Sequence, residues 1–241
     1  MTEKLVINGP FSEDIGKSIF TRQDNDEVVL CLNYDGKFGL NSINSYFQDA
    51  NPNQKAYYWS EWKYKIGDPI LFNENKRFPM LYNNLKGIIV DIQSNLNSME
   101  FTIDIPIVLT ALKVRGTDLE IVSRTDSSTR IKFSVYANDD NQTDEDYEIA
   151  RMKSVVPFQL AYAVSIHKAQ GLEYNSIKIV IPNSNSERIS HGIFYTAITR
   201  TKEKLKIYWS ADTMESIISG FNEEKKSRIS LDIIKELVKD N

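Results

Sequence analysis

Cysteine is almost missing from these 241 residues: only Cys31 is present, so no internal disulfide framework or multi-cysteine zinc site can form. Histidine is nearly as scarce, with His167 and His191 the two examples, and a metal centre therefore has almost no support. No apolar run approaches the ~20 residues that a bilayer span needs, and the amino terminus shows no signal-peptide pattern. The expected location is cytoplasmic, with no membrane partner. A general positive field is also lacking, since the net charge is −4. A nucleic-acid partner would have to meet a local basic or aromatic groove. What remains is ordinary for a globular protein: 41% hydrophobic and 26% charged residues. The length suits one large domain or two small ones.

The most organised stretch runs from Ala161 to Trp209. Ala161 to Ile166 is a short apolar run, followed by the polar segment from Ser165 to Gln170 that closes on Gly171. Ile177 to Pro182 is a continuous β-branched run, the pattern of a strand buried on both faces. Ser190 occupies a helix N-cap position, Phe194 to Thr201 follow at helical spacing, and Lys206 to Trp209 read as another strand. Strands alternating with helices predict a parallel sheet, whose ligands gather at the carboxyl ends of its strands. The Gln170-Gly171 turn and Arg200 fall in or beside such connections, an arrangement suited to handling phosphate.

The segments HKAQGLEY, the strand after it, and FYTAITRTKEKL resemble motifs V and VI of superfamily 1 helicases of the UvrD/RecD-like group, with the RecD-like branch the nearer likeness. Val29 to Pro52 is similar to the strand and helix around motif IV, although no arginine falls within Leu30 to Asn41. Gly67 to Ile92 is similar to the hairpin region that precedes motif V. The resemblance implies an α/β fold: a RecA-like parallel sheet with flanking helices, interrupted by a small β-rich insertion of SH3-like barrel type. The expected boundaries are a second motor domain from residues 1–62 and 158–241, with the insertion at 63–157.

The resemblance also implies roles. Arg200 would be the arginine finger on the γ-phosphate, and Gln170, Gly171 and Glu173 would bind nucleotide, Glu173 through the ribose. Gly171 is expected to bring its N–H close to a phosphate where a Cβ would obstruct it. Ser165, His167 and Lys168 would face single-stranded DNA, while His191 is taken as structural. The cofactors implied are ATP and Mg2+, with the Mg2+ ligands supplied by an N-terminal RecA-like domain of the same helicase. The other partner is single-stranded DNA or a duplex/single-strand junction. The chain then reads as the C-terminal half of an ATP-dependent DNA helicase, inactive alone. One alternative is a stand-alone nucleic-acid- or protein-binding adaptor without ATPase activity. Another is a self-contained NTPase using Gly16-Lys17-Ser18. That tripeptide lacks the Gly-x4-Gly spacing of a phosphate loop, because Phe11 stands where the first glycine belongs.

Three further stretches carry expectations. Tyr57, Tyr58, Trp59, Trp62 and Tyr64 form an aromatic run, read first as packing of one strand and second as a base-stacking platform. From Gly67 to about Pro157 the apolar period is two: Ile70 with Phe72; Ile88, Val90 and Ile92; Phe101, Ile103 and Ile105; Ile131, Phe133 and Val135. Asp139, Asp140, Asp144, Glu145 and Asp146 make an acidic loop without the central glycine of a calcium site. Beyond Trp209, Asp212 to Ser219 reads as a short helix, and the tail from Ser227 as an amphipathic one.

Overall fold

The computed structural model describes residues 3–8, 19, 26–32, 34, 36, 38–73, 76–137, 150–181 and 191–220. The Gly16-Lys17-Ser18 loop, the acidic loop, Ser190 and the tail from Ser227 lie outside the described residues. The chain forms two compact units, Met1–Ile43 with Ala163–Asn241, and Asn44–Tyr162.

The first unit is built on a five-stranded sheet. Its strands are β1 (Glu3–Asn8), β2 (Glu27–Cys31), β11 (Ala163–Ser165), β12 (Tyr174–Val180) and β13 (Thr201–Trp209), in the spatial order β1-β13-β12-β2-β11. Every neighbouring pair is parallel. β2 is buried along its whole length, and Ile177, Ile179 and Val180 of β12 are at most 1% exposed. That is how strands covered on both faces should look. One residue breaks the apolar run. Lys178 is fully buried, with its Nζ 2.6 Å from Glu27 Oε1 and donating to the Ile19 carbonyl at 3.3 Å. Ser176 Oγ donates to the other Glu27 oxygen at 3.0 Å. A buried ammonium persists only when its charge is matched in this way.

Two elements are shorter or earlier than the sequence suggests. The apolar run from Ala161 is two pieces: Phe158–Leu160 (β10) pairs with a strand of the second unit, and only Ala163–Ser165 joins the parallel sheet. The helix before β13 is α3 (His191–Ile198), where Phe194 stacks on Trp209 with ring centroids 5.8 Å apart. It ends before Arg200 because the Arg200 carbonyl is taken by the Tyr174 N–H at 3.0 Å, which draws the chain into β13. Residues 211–220 are helical, and helix α1 (Leu40–Asp49) buries Leu40, Ile43 and Phe47 as its spacing predicts.

The second unit holds a hairpin, β3 (Tyr57–Trp59) with β4 (Trp62–Tyr64), and a six-stranded antiparallel sheet. The sheet uses β5 (Pro69–Phe72), β6 (Lys86–Ser94), β7 (Ser98–Ile105), β8 (Glu120–Arg124) and β9 (Thr129–Tyr136), in the order β10-β5-β6-β7-β9-β8. A short helix α2 (Ala111–Val114) precedes β8. Phe72, Phe101, Phe133 and Phe158 form the centre of its core, with Phe101 and Phe158 edge to face at 5.1 Å. The alternation in β7 and β9 holds, whereas in β5 Leu71 is buried together with Ile70 and Phe72. In β6 it is also broken, because Ile89 and Ile92 face inward while Ile88 is 48% exposed. A bulge between Ile89 and Asp91 adds a residue and flips the side-chain phase within the strand.

The aromatic run divides instead of acting as one surface. Tyr57 and Tyr64 are cross-strand partners and both enter the core. Trp59 donates its indole N–H to the Ser154 carbonyl at 3.0 Å. Tyr58 and Trp62 remain more than 60% exposed. Among the described residues no helix is long and apolar enough to cross a membrane.

Candidate functional site

The connection from β11 to β12 carries most of the residues singled out in the sequence. Ser165 ends β11 and is buried, and its carbonyl and hydroxyl cap the following turn. The Ala169 N–H donates to Ser165 O at 3.0 Å, and the Lys168 N–H to Ser165 Oγ at 3.3 Å. Ala169 is fully buried and anchors the turn, which leaves His167 and Gln170 exposed on it and Lys168 partly so. The Gln170 and Leu172 N–H groups donate to the carbonyls of His167 and Ala169 and close the loop.

Gly171 follows with φ +83°. That left-handed backbone conformation by itself favours glycine, and a Cβ here would meet no protein atom within 4 Å. Its amide is exposed on an open turn.

Arg200 stands beside this turn. Its Nη1 donates to the Leu172 carbonyl at 3.5 Å, its Nε to Thr196 O at 3.3 Å, and its Nη2 to Thr199 Oγ1 at 3.3 Å. All three contacts are long and all acceptors are neutral, so the guanidinium is held loosely. Among the described residues it has no carboxylate partner, and it is partly exposed. The acceptor from α3 is a carbonyl of the last turn, where a cation is favoured by the helix dipole.

Glu173 is not free to serve a ribose alone. Its Oε2 lies 3.4 Å from Lys202 Nζ, with both side chains more than half exposed. The sequence reading missed Lys202. The pair arises from the parallel pairing of Tyr174 with Thr201, which brings the residue before Tyr174 near the residue after Thr201. Tyr174 itself is buried; burial, and then the charge of Asp26, push its phenol well above its ordinary value. Asp26 accepts the Asn175 N–H at 3.1 Å.

The register also relocates Arg200 relative to expectation. Ser165 is level with Cys31, Val180 and Tyr208, at the carboxyl ends of the strands. Arg200 immediately precedes Thr201, which is level with Tyr174, at the amino ends. Ser165 therefore conforms to the rule for ligand sites in parallel sheets, and Arg200 does not. The connection 166–173 runs from one edge to the other. Among the described residues no group of three His, Cys, Asp or Glu side chains converges as metal ligands would.

Residues 160–208 match the family model of the UvrD-like helicase C-terminal domain. The chain is 25% identical over 184 residues to the RecBCD enzyme subunit RecD of Buchnera aphidicola subsp. Schizaphis graminum, covering 75% of this chain and 24% of that relative. It is 24% identical over 207 residues to the RecD subunit of Buchnera aphidicola subsp. Acyrthosiphon pisum, covering 81% of this chain and 28% of the relative. Among solved structures, the Pif1 helicase of Candida albicans aligns with a TM-score of 0.48 at 14% identity, over 83% of this chain and 50% of that one. The family model and the two RecD relatives support a superfamily 1 helicase C-terminal region. The chain spans about a quarter of the length of these curated relatives.

Proposed function

We propose that this chain is the C-terminal motor portion of an ATP-dependent DNA helicase, contributing one wall of a nucleotide site and part of a single-strand track. The parallel-sheet unit, Met1–Ile43 with Ala163–Asn241, is read as the second RecA-like domain, and the β-rich unit as an SH3-like insertion. The observation that carries the reading is the convergence of Arg200 with the Gly171 turn, inside the segment that matches the helicase model. A guanidinium held by neutral acceptors at 3.3–3.5 Å can exchange them for phosphate oxygens at small cost.

In this reading ATP with Mg2+ supplies the energy. The Mg2+ carboxylate and the phosphate loop come from the N-terminal RecA-like domain of the same helicase, and Arg200 completes the site from the opposite side. Arg200 would stabilise charge on the transferring phosphoryl group, and the exposed Gly171 amide would hold a phosphate oxygen. Glu173 would exchange Lys202 for a ribose hydroxyl. Ser165, His167 and Lys168, at the other edge of the sheet, would face the single strand. On its own the chain should not turn over ATP, because half of the site is supplied elsewhere.

The test is Arg200→Ala and Arg200→Lys in the helicase that contains this segment, with ATP turnover and nucleotide affinity measured separately. Turnover is expected to fall by ~10³ or more while nucleotide still binds. Lysine should rescue little, because one ammonium cannot reproduce the planar fork. Full activity in Arg200→Ala would refute the reading and favour the adaptor alternative.

A further inference from the structure

The backbone of Arg200 and its guanidinium are held by different kinds of group. The Arg200 N–H donates to the Ala197 carbonyl at 3.4 Å, and its own carbonyl accepts the Tyr174 N–H at 3.0 Å, so the main chain is tied on both sides. The side chain then meets three acceptors: the Thr196 and Leu172 carbonyls and Thr199 Oγ1. Two of these are main-chain oxygens, present whatever residue stands at 172 or 196. Thr199 Oγ1 alone of the three depends on the identity of a side chain.

What Thr199 offers is set by its other contacts. It is exposed, one residue past the end of α3, so packing does not hold it. Its hydroxyl lies 2.9 Å from the Tyr195 carbonyl and 3.2 Å from the Thr196 carbonyl. A hydroxyl has one proton, and these helix carbonyls take it, so toward Arg200 the oxygen acts as an acceptor. Bonding back to the preceding turn also selects between the χ1 wells open to a threonine in a helix. The Tyr195 carbonyl takes the Thr199 N–H as well, at 3.0 Å, which pins backbone and side chain to the same turn.

A guanidinium has five N–H groups in one rigid plane. Thr196, Leu172 and Thr199 engage three of them, which leaves one on each terminal nitrogen to meet a phosphate first. Three contacts fix the plane. With Thr199 removed, only Nε and Nη1 are tied, and the plane is free to tilt about the line between those two contacts. We propose that Thr199 is a positioning residue for phosphoryl transfer: it sets the angle at which the Arg200 guanidinium faces the γ-phosphate. The proposal rests on the reading of Arg200 as an arginine finger, and Thr199 acts through Arg200, not on nucleotide. Losing an orienting contact should lower turnover and leave nucleotide affinity nearly unchanged.

The test has two arms. In the isolated chain, nitrogen NMR relaxation of the Arg200 Nε–H, assigned by its loss in Arg200→Lys, reports how firmly the guanidinium is held. Thr199→Val keeps the branched shape and removes the acceptor, so this order parameter should fall; Thr199→Ser should keep it. In the helicase that contains this segment, Thr199→Val should lower kcat about three- to tenfold, the range for one lost hydrogen bond, with KM for ATP changed by less than about twofold. Thr199→Ser should recover most of kcat. In an Arg200→Ala background Thr199→Val should have no further effect, because its partner is gone, whereas a merely structural loss would add to it. An unchanged order parameter in Thr199→Val overturns the proposal. So does an unchanged kcat in a helicase that Arg200→Ala disables, and that result leaves the finger standing. A rise in KM with kcat intact would make Thr199 a binding group and overturn the proposal as well. Full activity in Arg200→Ala removes the finger and the positioning role together.

Discussion

Asp68 should be among the most sensitive positions in the β-rich unit, although no chemistry depends on it. Its side chain is fully buried and accepts four hydrogen bonds. Gln48 Nε2 donates at 2.6 Å, Asn51 Nδ2 at 2.8 Å, the Tyr162 hydroxyl at 2.8 Å and the Lys65 N–H at 2.8 Å. Tyr162 is held additionally by stacking on Phe47, with centroids 5.8 Å apart. One carboxylate thus gathers the end of α1, the turn before β5 and Tyr162, two residues beyond β10. Hydrogen bonds to a charged acceptor contribute ~1.5–3 kcal/mol each, but donors sharing one acceptor are not additive. Asp68→Ala would leave several buried donors unsatisfied, so the expected loss is about 3–5 kcal/mol. Asp68→Asn keeps one acceptor oxygen and turns an N–H2 toward existing donors, for a loss of about 2–3 kcal/mol. The assay is urea unfolding followed by tryptophan fluorescence, with amide exchange in β5 and β10 to separate this unit from the parallel-sheet unit. A loss below ~1 kcal/mol in Asp68→Ala would show that water replaces the carboxylate and that the network carries little.

Three other outcomes follow from local geometry. Gly87→Ala should destabilise the same unit by about 1–3 kcal/mol, because the new Cβ would sit 2.9 Å from Ile103 Cγ2 and 3.1 Å from Ile70 Cδ1; an unchanged urea midpoint would refute this. Cys31 is buried and its thiol is pushed up to about 12 by desolvation, so alkylation should be slow in the native chain and should accelerate with urea as the sheet opens; rapid stoichiometric labelling without denaturant would contradict it. Burial raises the Asp118 carboxyl, but the hydrogen bond and charge of Arg77 outweigh this and hold it below its ordinary 3.8. A depressed carboxylate stabilises the fold above its unfolded value, and that contribution fades as pH falls through the folded one. Asp118→Asn should therefore flatten the stability profile below about pH 4, as measured by urea midpoints across acid pH.

The parallel sheet was legible because Val28–Cys31 of β2 and Ile177, Ile179 and Val180 of β12 make largely apolar runs, a pattern that needs no partner to interpret. The spacing of Leu40, Ile43 and Phe47 likewise placed α1. Failures came where one contact overruled local pattern. The β6 bulge shifts Ile88 outward, and nothing in the run from Ile88 to Ile92 marks the extra residue. The split of Phe158–Leu160 from Ala163–Ser165 depends on which sheet each half finds, and a single apolar run does not reveal that. Lys178 looks like an error in its strand until Glu27 appears beside it, 151 positions earlier in the chain but only 2.6 Å away across the sheet. In the site, Arg200 and Gly171 were found by motif, whereas the Glu173–Lys202 pair emerges only from strand register.

The register has a mechanical consequence for the connection that joins the two edges of the sheet. From Tyr174 to Val180 is six steps along β12, or about 20 Å at strand rise. Ser165 lies at the far level and the Leu172 carbonyl, which Arg200 touches, at the near one. The eight residues 166–173 therefore span the whole sheet height, with Ala169 buried as the fixed point and Gly171 as the joint. The two ends of this connection are held in the same hydrogen-bonded sheet, β11 and β12 each pairing with β2. In the proposed motor such a strap would carry displacement from one edge to the other without deforming the core, since packed interiors resist gradual strain. A residue with a Cβ at position 171 would stiffen the joint while removing no ligand contact from any side chain. Gly171→Ala should thus uncouple strand binding from ATP turnover in the intact helicase more than it weakens either one alone. Equal losses of strand affinity and basal turnover, with stimulation intact, would show that the strap is passive.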